Sequence, residues 1–465
     1  MAQITASVAV AVVAGMVPLA AQTSLSIYGD GRVVVRRTLP QSLEKGKNTL
    51  TLKLDELDAA TLFSPDSSVA LLSAVLRPAT DEAMALRHAV GQTLAFVRAR
   101  TSGGADTVRA TVLRTDPPQF RLSDGRVLFS PPGDALFPAD LVSSVTEAAV
   151  TLEATRARPR TDVAYVIDGA ARWQAGYQVV LQGARCQVSG TATIVSTTLR
   201  ADSADVQLVA GSINRARPAA PPRPAFLQRG AVQLQEMVVA GGAAGEETVG
   251  ETHVYQLPGR PSLTPGVAVT VALFPGTSVA YTREFVVPGA LPWRGFFAQS
   301  PAEPDRVPVQ VWYTLKRPRG TTFGERPLPG GTVQLFQADS GGRLQLVGEA
   351  RSDHTAPGRD LRVQSGDAFD VTAERVQTDY NQEQLAPPKR GMTPRQRITA
   401  AYKVTLANAK PESVSVDVRE ARFGTWHVTE SSIPAEKLSA TEVRFRVSVP
   451  AGGEATLTYT VQAES

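Results

Sequence analysis

The sequence is short of the residues on which most recognisable chemistry is built. Cysteine occurs once in 465 residues, at Cys186. A single thiol excludes an internal disulfide, a cysteine-cluster metal site and a CxxC redox pair. It also lies far from the N-terminus, so no lipobox cysteine is present to carry a lipid anchor. Histidine occurs four times, at His88, His253, His354 and His427. There is no GxSxG elbow, HExxH helix, Walker loop, EF-hand loop or dinucleotide glycine fingerprint. A Ser-His-Asp arrangement is spatial rather than sequential, and no local signature supports one. Charge is nearly balanced: 48 basic and 44 acidic groups leave a net charge of +4. No Lys/Arg block stands out, and aromatics make up only 6% of the chain. A nucleic-acid surface would concentrate its positive charge and interleave aromatic rings, so no nucleic-acid partner is expected.

What is present is a globular balance of 43% hydrophobic and 20% charged residues, which argues against global disorder. Residues Ile4 to Ala20 read ITASVAVAVVAGMVPLA, without charge. The run looks like the apolar core of a secretory signal spanning 1–21, with cleavage near Ala20 or Ala21. No Lys or Arg precedes it, so a retained membrane helix is the alternative; about 20 apolar residues can span a bilayer. Either way the mature chain is expected outside the cytoplasm: in the periplasm, the outer envelope or at the cell surface. At most it is peripheral to the membrane.

Alternation with a period of two dominates the rest. Leu50, Leu52 and Leu54 alternate with Thr49, Thr51 and Lys53; Val414, Val416 and Val418 alternate with Ser and Asp. Val443, Phe445, Val447 and Val449 alternate with polar residues before a Pro450-Ala-Gly-Gly turn, and Leu457, Tyr459 and Val461 follow. Strands that bury one face and wet the other belong to antiparallel sandwiches. The fold class is therefore all-β: antiparallel β-sandwich domains, a small inserted barrel-like module and one short helix. That helix is placed after Thr80 as cap, with Asp81 and Glu82 at its positive end, Leu86 and Val90 on one face and Gly91 as its stop. Breaker clusters divide the chain into N-terminal sandwich strands at 22–75, the inserted module at 76–146, a continuation of the sandwich at 147–215, a Pro- and Gly-rich linker or mobile loop at 216–248, and a C-terminal sandwich region at 249–465. Trp173 and Tyr177, four apart in a strand, share a face and anchor a core. Cys186 has the parity of Ala184 and Val188, which suits a buried, inert thiol.

Several stretches together resemble the mucoidy-inhibitor-like family of exported bacterial proteins, whose C-terminal β region is a domain of unknown function. They are ARWQAGYQVVL (171–181), LVAGSINR (208–215), HVYQLPGRPSLTPGVAVTVALF (253–274), GEARSDHT (348–355), GDAFDVTAERVQTDY (366–380) and TWHVTESSIPAEKLSATEVRFRVSVPAGGEATLTYTV (425–461). The resemblance implies a multi-part β fold and an extracytoplasmic location; it supplies no reaction.

Two functional readings compete. The first is a structural or interaction protein of the cell envelope, a subunit of a larger surface complex whose partners are envelope or cell-surface proteins or a second copy of the chain. Its candidate interface is the stretch 287–308, where Trp293, Arg294, Phe296 and Phe297 combine the residue types of an interface hot spot. The second is a metal-dependent redox enzyme. The densest polar constellation is Asp353, His354, Asp367, Asp370, Glu374 and Asp379. Imidazole with carboxylate suits copper or another divalent metal, and His427 would have to join Asp353 and His354 at a sandwich edge. Copper chemistry that consumes superoxide would be the enzymatic form. The bland alternative is a solvated edge of turn-capping carboxylates, with Gly366 at a turn.

Overall fold

The computed structural model describes residues 22–54, 57–99, 104–211, 245–289, 305–385, 395–422 and 424–464. The expected signal run and the linker core lie outside them. The described chain is all-β, with 29 strands and two short α-helices, arranged in predominantly antiparallel sheets. Among the described residues no helix is long and apolar enough to cross a membrane.

The alternating segments become strands in the parity read from the sequence. Glu442–Val449 buries Val443, Phe445, Val447 and Val449, and Glu454–Glu464 buries Leu457, Tyr459 and Val461. A ten-stranded sheet forms the spine. Its path runs through Leu344–Ser352, Gly331–Ala338, Ala171–Gln182, Arg185–Ser196, Ala268–Val287, Val414–Ala421, Glu442–Val449 and Ala435–Lys437. Gln310–Leu315 and Leu361–Asp367 branch from it beside the 268–287 strand.

The 20-residue Ala268–Val287 strand serves two cores. Its first part places Val269, Val271, Leu273 and Phe274 in a large core with Leu25, Val35, Leu52, Tyr165, Trp173, Tyr177, Val333 and Val363. That core is shared by strands from both sides of residue 249. It fills the space between the ten-stranded sheet, a six-stranded sheet containing Gln22–Tyr28 and Arg32–Leu39, and a three-stranded sheet of Gly46–Leu54, Thr146–Ala154 and Val69–Arg77. The far end of the same strand places Phe285 and Val287 in a second core. There the spine packs on a five-stranded sheet of Asp305–Val307, Val371–Leu385, Arg395–Asn408, Glu454–Glu464 and Thr425–Ser431.

Between two strands of the three-stranded sheet sits a module with its own small core around Phe96, Val112 and Phe120. Its five strands make an open sheet, not a closed barrel. The helix is Glu82–His88, and its cap is Asp81, which accepts from Met84 N–H at 2.7 Å. Thr80 instead accepts from Ser143 N–H at 3.1 Å, tying the helix entry to the end of the module. Leu86 packs on the small core while Val90 is 47% exposed, because the helix ends before it. Gly366 is not at a turn. It lies inside Leu361–Asp367 with φ +146°, where the register with Gln310–Leu315 slips by one residue; a bulge of this kind favours glycine.

Trp173 and Tyr177 both face the large core, as does Cys186, which is 1% exposed. Burial pushes the Cys186 thiol up to about 11, and the thiolate is the reactive form. A colorimetric disulfide reagent should therefore find no thiol in the native protein at pH 8 and one per chain in guanidinium. Rapid native labelling would mean that the Arg185–Ser196 strand opens locally.

Candidate functional site

The site grows from a buried arginine. In Gln310–Leu315 the inward parity is Tyr313 and Leu315, and Arg317 continues it past the strand's end. Arg317 is 1% exposed. Among the described residues no carboxylate bonds its guanidinium; it donates to four backbone carbonyls instead. Nη1 reaches Ala356 O at 3.1 Å and Arg359 O at 2.9 Å, Nε reaches Phe323 O at 3.3 Å, and Nη2 donates to Phe323 O and Arg326 O. Its charge also lies over the Phe323 ring, 5.2 Å from the centroid. Although burial pushes the Asp360 carboxyl upward, Lys316 and the Arg317 backbone N–H hold it below the usual carboxylate range. One side chain thereby fixes two loops, 316–330 and 353–360.

Those loops form a wall. Tyr177 OH donates to Pro329 O at 2.7 Å and Tyr255 OH to Pro327 O at 3.1 Å, both buried. Burial holds the Tyr177 phenol far above its ordinary range, so it remains a donor. On the other side Leu328 and Thr355 exchange both backbone hydrogen bonds at 2.9 Å. Gly330 N–H donates to His354 Nδ1 at 3.1 Å.

Across from this wall runs the start of Ala171–Gln182. Its parallel ladder with Gly331–Ala338 begins only at Ala175 and Gly331. The approach there is close: a Cβ on Gly331 would lie 2.3 Å from Ala175 O. Before that point the two segments diverge, and the gap is a cleft of about 520 Å³. Trp173, Ala175, Val209 and Gly29 give its apolar and backbone lining, and Asp30, Arg172, Gln174, Thr193, Arg351 and His354 its polar lining.

The residues expected to bind metal do not converge. His354 and Asp353 are exposed in the loop after Leu344–Ser352, and of the two His354 lines the cleft. His427 is exposed on Thr425–Ser431 in the other sandwich, opposite Gln462. Among the described residues no three His, Cys, Asp or Glu side chains are placed to share an ion. The His354 bond is informative too. A backbone N–H can only donate, so Nδ1 accepts and the ring proton sits on Nε2. A metal-ligating imidazole normally donates through its second nitrogen, the reverse of this arrangement. The neighbouring carboxylates are committed elsewhere: Asp370 to Lys410 at 3.1 Å, Glu374 to Arg306 at 3.9 Å, and Asp379 to Tyr380 N–H at 2.9 Å. Trp293, Arg294, Phe296 and Phe297 lie outside the described residues.

Sequence reasoning passed over Arg172, Arg351 and Arg317. Parity was the available signal for Arg317; the cleft arginines sit on wet faces and look like any other. No protein-family model matches the chain, and no curated protein matches it.

Proposed function

We propose that this is an exported cell-envelope interaction protein that acts as a subunit of a larger surface complex, as its resemblance to the mucoidy-inhibitor-like family suggests. The observation that carries the reading is an apolar patch on a face that should be wet. Gly331–Ala338 and Leu344–Ser352 form a hairpin at the end of the ten-stranded sheet. Val333 and Leu335 point into the core, so Phe336, with its cross-strand partner Leu346, points outward, as do Ala338 and Leu344. Val180, in register with Phe336 on the next strand, continues the patch. Leu344 and Leu346 are 57% and 55% exposed. Water-facing strands in antiparallel sheets carry polar residues, and contiguous exposed apolar surface marks interaction sites. Each buried Å² of it contributes about 25 cal/mol to association before ordering costs.

The proposed occupant is the apolar face of a partner protein. Protein extracted from its native envelope under mild conditions should run, by size exclusion with light scattering, well above the mass of one chain. Leu344→Lys with Leu346→Lys should reduce it to that mass while leaving the urea midpoint unchanged. If the wild type is already a single chain, or the double variant assembles normally, the patch is not the interface. Cross-linked mass at integer multiples of the chain would identify a second copy as the occupant.

A further inference from the structure

We infer that the cleft between the start of Ala171–Gln182 and the 327–330 wall binds an oxyanion, the carboxylate or phosphate group of a ligand. The inference rests on charge, not on the apolar patch, and stands apart from the interaction reading.

Among the described residues, some arginines of this surface are held in ion pairs and others, Arg121 among them, are not. Arg126 pairs with Asp124, Arg260 with Asp205, Arg362 with Glu284, Arg397 with Glu464 and Arg444 with Glu436. Arg172 and Arg351 are not paired in this way: among the described residues neither guanidinium has a carboxylate or carbonyl partner. Both line the same cleft. Register explains how they come together. Gln174 pairs with Thr193 across the ladder; Arg172 stands two residues earlier on the same outward face. Arg351 is opposite Thr332, which is opposite Gly176, two residues after Gln174. The two arginines therefore stand on either side of the Gln174 row, each one row (roughly 6.6–6.8 Å) away along the strands and Arg351 two strands (about 9.5 Å) across, a span that two long side chains can close. Gly176 contributes no side chain, so nothing on that strand stands between the Arg351 row and Gln174.

Two guanidinium groups against one carboxylate, Asp30, leave the lining positive, and guanidinium forks match carboxylate and phosphate oxygens. The remaining polar lining is of the same kind. His354 holds its proton on Nε2 because Nδ1 accepts from Gly330 N–H at 3.1 Å, leaving a donor on the wall. Gln174 offers an amide N–H. Thr193 Oγ1 is 3.0 Å from Thr270 Oγ1, so one hydroxyl proton of that pair is free for a ligand. Asp30 is the one acid in the lining, and its Oδ1 accepts from Arg32 N–H at 3.1 Å. The wall is rigid, because Arg317, Tyr177 and Tyr255 hold it through buried bonds, so the donors are placed before the ligand arrives.

The test is calorimetric titration of the full chain at low salt with two probes, inorganic phosphate and glutarate. At least one should bind with a Kd below 10 mM, on the order of the −2.7 kcal/mol that this implies. Arg172→Gln and Arg351→Gln should each weaken that binding about tenfold or more, as loss of a charged hydrogen bond does. Arg172→Lys and Arg351→Lys should fall between, keeping charge and losing the fork. Arg121→Gln, at an exposed arginine of the inserted module, should change nothing. Binding of phosphate alone assigns a phosphate-bearing ligand, and of glutarate alone a carboxylate; either supports the site. If neither probe binds, or Arg172→Gln with Arg351→Gln binds as the wild type does, the inference is overturned. All of these side chains are exposed, so an unchanged urea midpoint should accompany every variant.

Discussion

Replacing Arg317 with Met should destabilise the protein by at least ~4 kcal/mol in urea unfolding. The carbonyls of Phe323, Arg326, Ala356 and Arg359 all accept from this one guanidinium. Each buried acceptor left without a donor costs about 1–3 kcal/mol, and the four do not relax independently because they belong to two loops that this one side chain ties together. The hub is 1% exposed and lies over the Phe323 ring, so water has little room to substitute. Arg317→Lys should recover less than half of the loss. An ammonium keeps the charge, but its three donors radiate from one atom and cannot span carbonyls reached here through Nε, Nη1 and Nη2. The same variants should weaken oxyanion binding at the cleft even in conditions where they remain folded, because His354 and Gly330 lose their fixed wall. A loss below ~1 kcal/mol for Arg317→Met would mean that the loops are held by their other bonds, from the tyrosines, the Leu328–Thr355 bridge, Gly358 N–H to Gly324 O, Gly330 N–H to His354 and Lys316 to Asp360.

The sequence made the strands legible and left the polar interior hidden, for a physical reason that particular residues illustrate. Period-two alternation is a local property, and burial follows it wherever the inward residues are apolar, as at Val443 to Val449. The rule is blind to an inward residue that is charged. Val414, Val416 and Val418 are buried, and Glu420, next in the same parity, is 0% exposed. Tyr313, Leu315 and Arg317 repeat the pattern. Parity carried on would place both charges inward, a signal that a reading of apolar alternation passes over; nor does it give the partner, which for Arg317 is a set of loop carbonyls and for Glu420 is Arg375 on another strand together with Arg422 two residues on. The cleft was less legible still. Arg172 and Arg351 are 179 positions apart, and only a parallel ladder between Ala171–Gln182 and Gly331–Ala338 brings their rows together. Helix boundaries failed for a smaller reason: Thr80 and Asp81 are both capping types, and the contact of Thr80 with Ser143 N–H decides between them.

Glu420→Gln should cost about 3–5 kcal/mol, the loss expected when one partner of a buried ion pair is removed. Glu420 lies in the second core, where Oε2 accepts from Arg375 Nη2 and from Tyr459 OH, each at 2.5 Å, and Oε1 faces Arg422. Arg375 also lies over the Tyr402 ring at 4.3 Å, and Tyr402 and Tyr459 stack with centroids 5.5 Å apart. Burial, and then the Glu420 charge, keep the Tyr459 phenol well above its ordinary range, so it donates to the carboxylate throughout the accessible pH range. Gln keeps the shape and removes the charge that both guanidinium groups face in an apolar sandwich. Tyr459→Phe, which takes away one neutral donor, should cost only about 1–2 kcal/mol, and the contrast separates charge from hydrogen bonding. The opposite sign is expected when all three charges go at once. Arg375→Met, Glu420→Leu and Arg422→Met together replace the triad with side chains of similar volume and remove the desolvation cost of the ions, so the triple variant should unfold within ~1 kcal/mol of the wild type or above it. A triple variant as unstable as Glu420→Gln would show that the triad contributes net stability, and that the second core is built around its charges and not in spite of them.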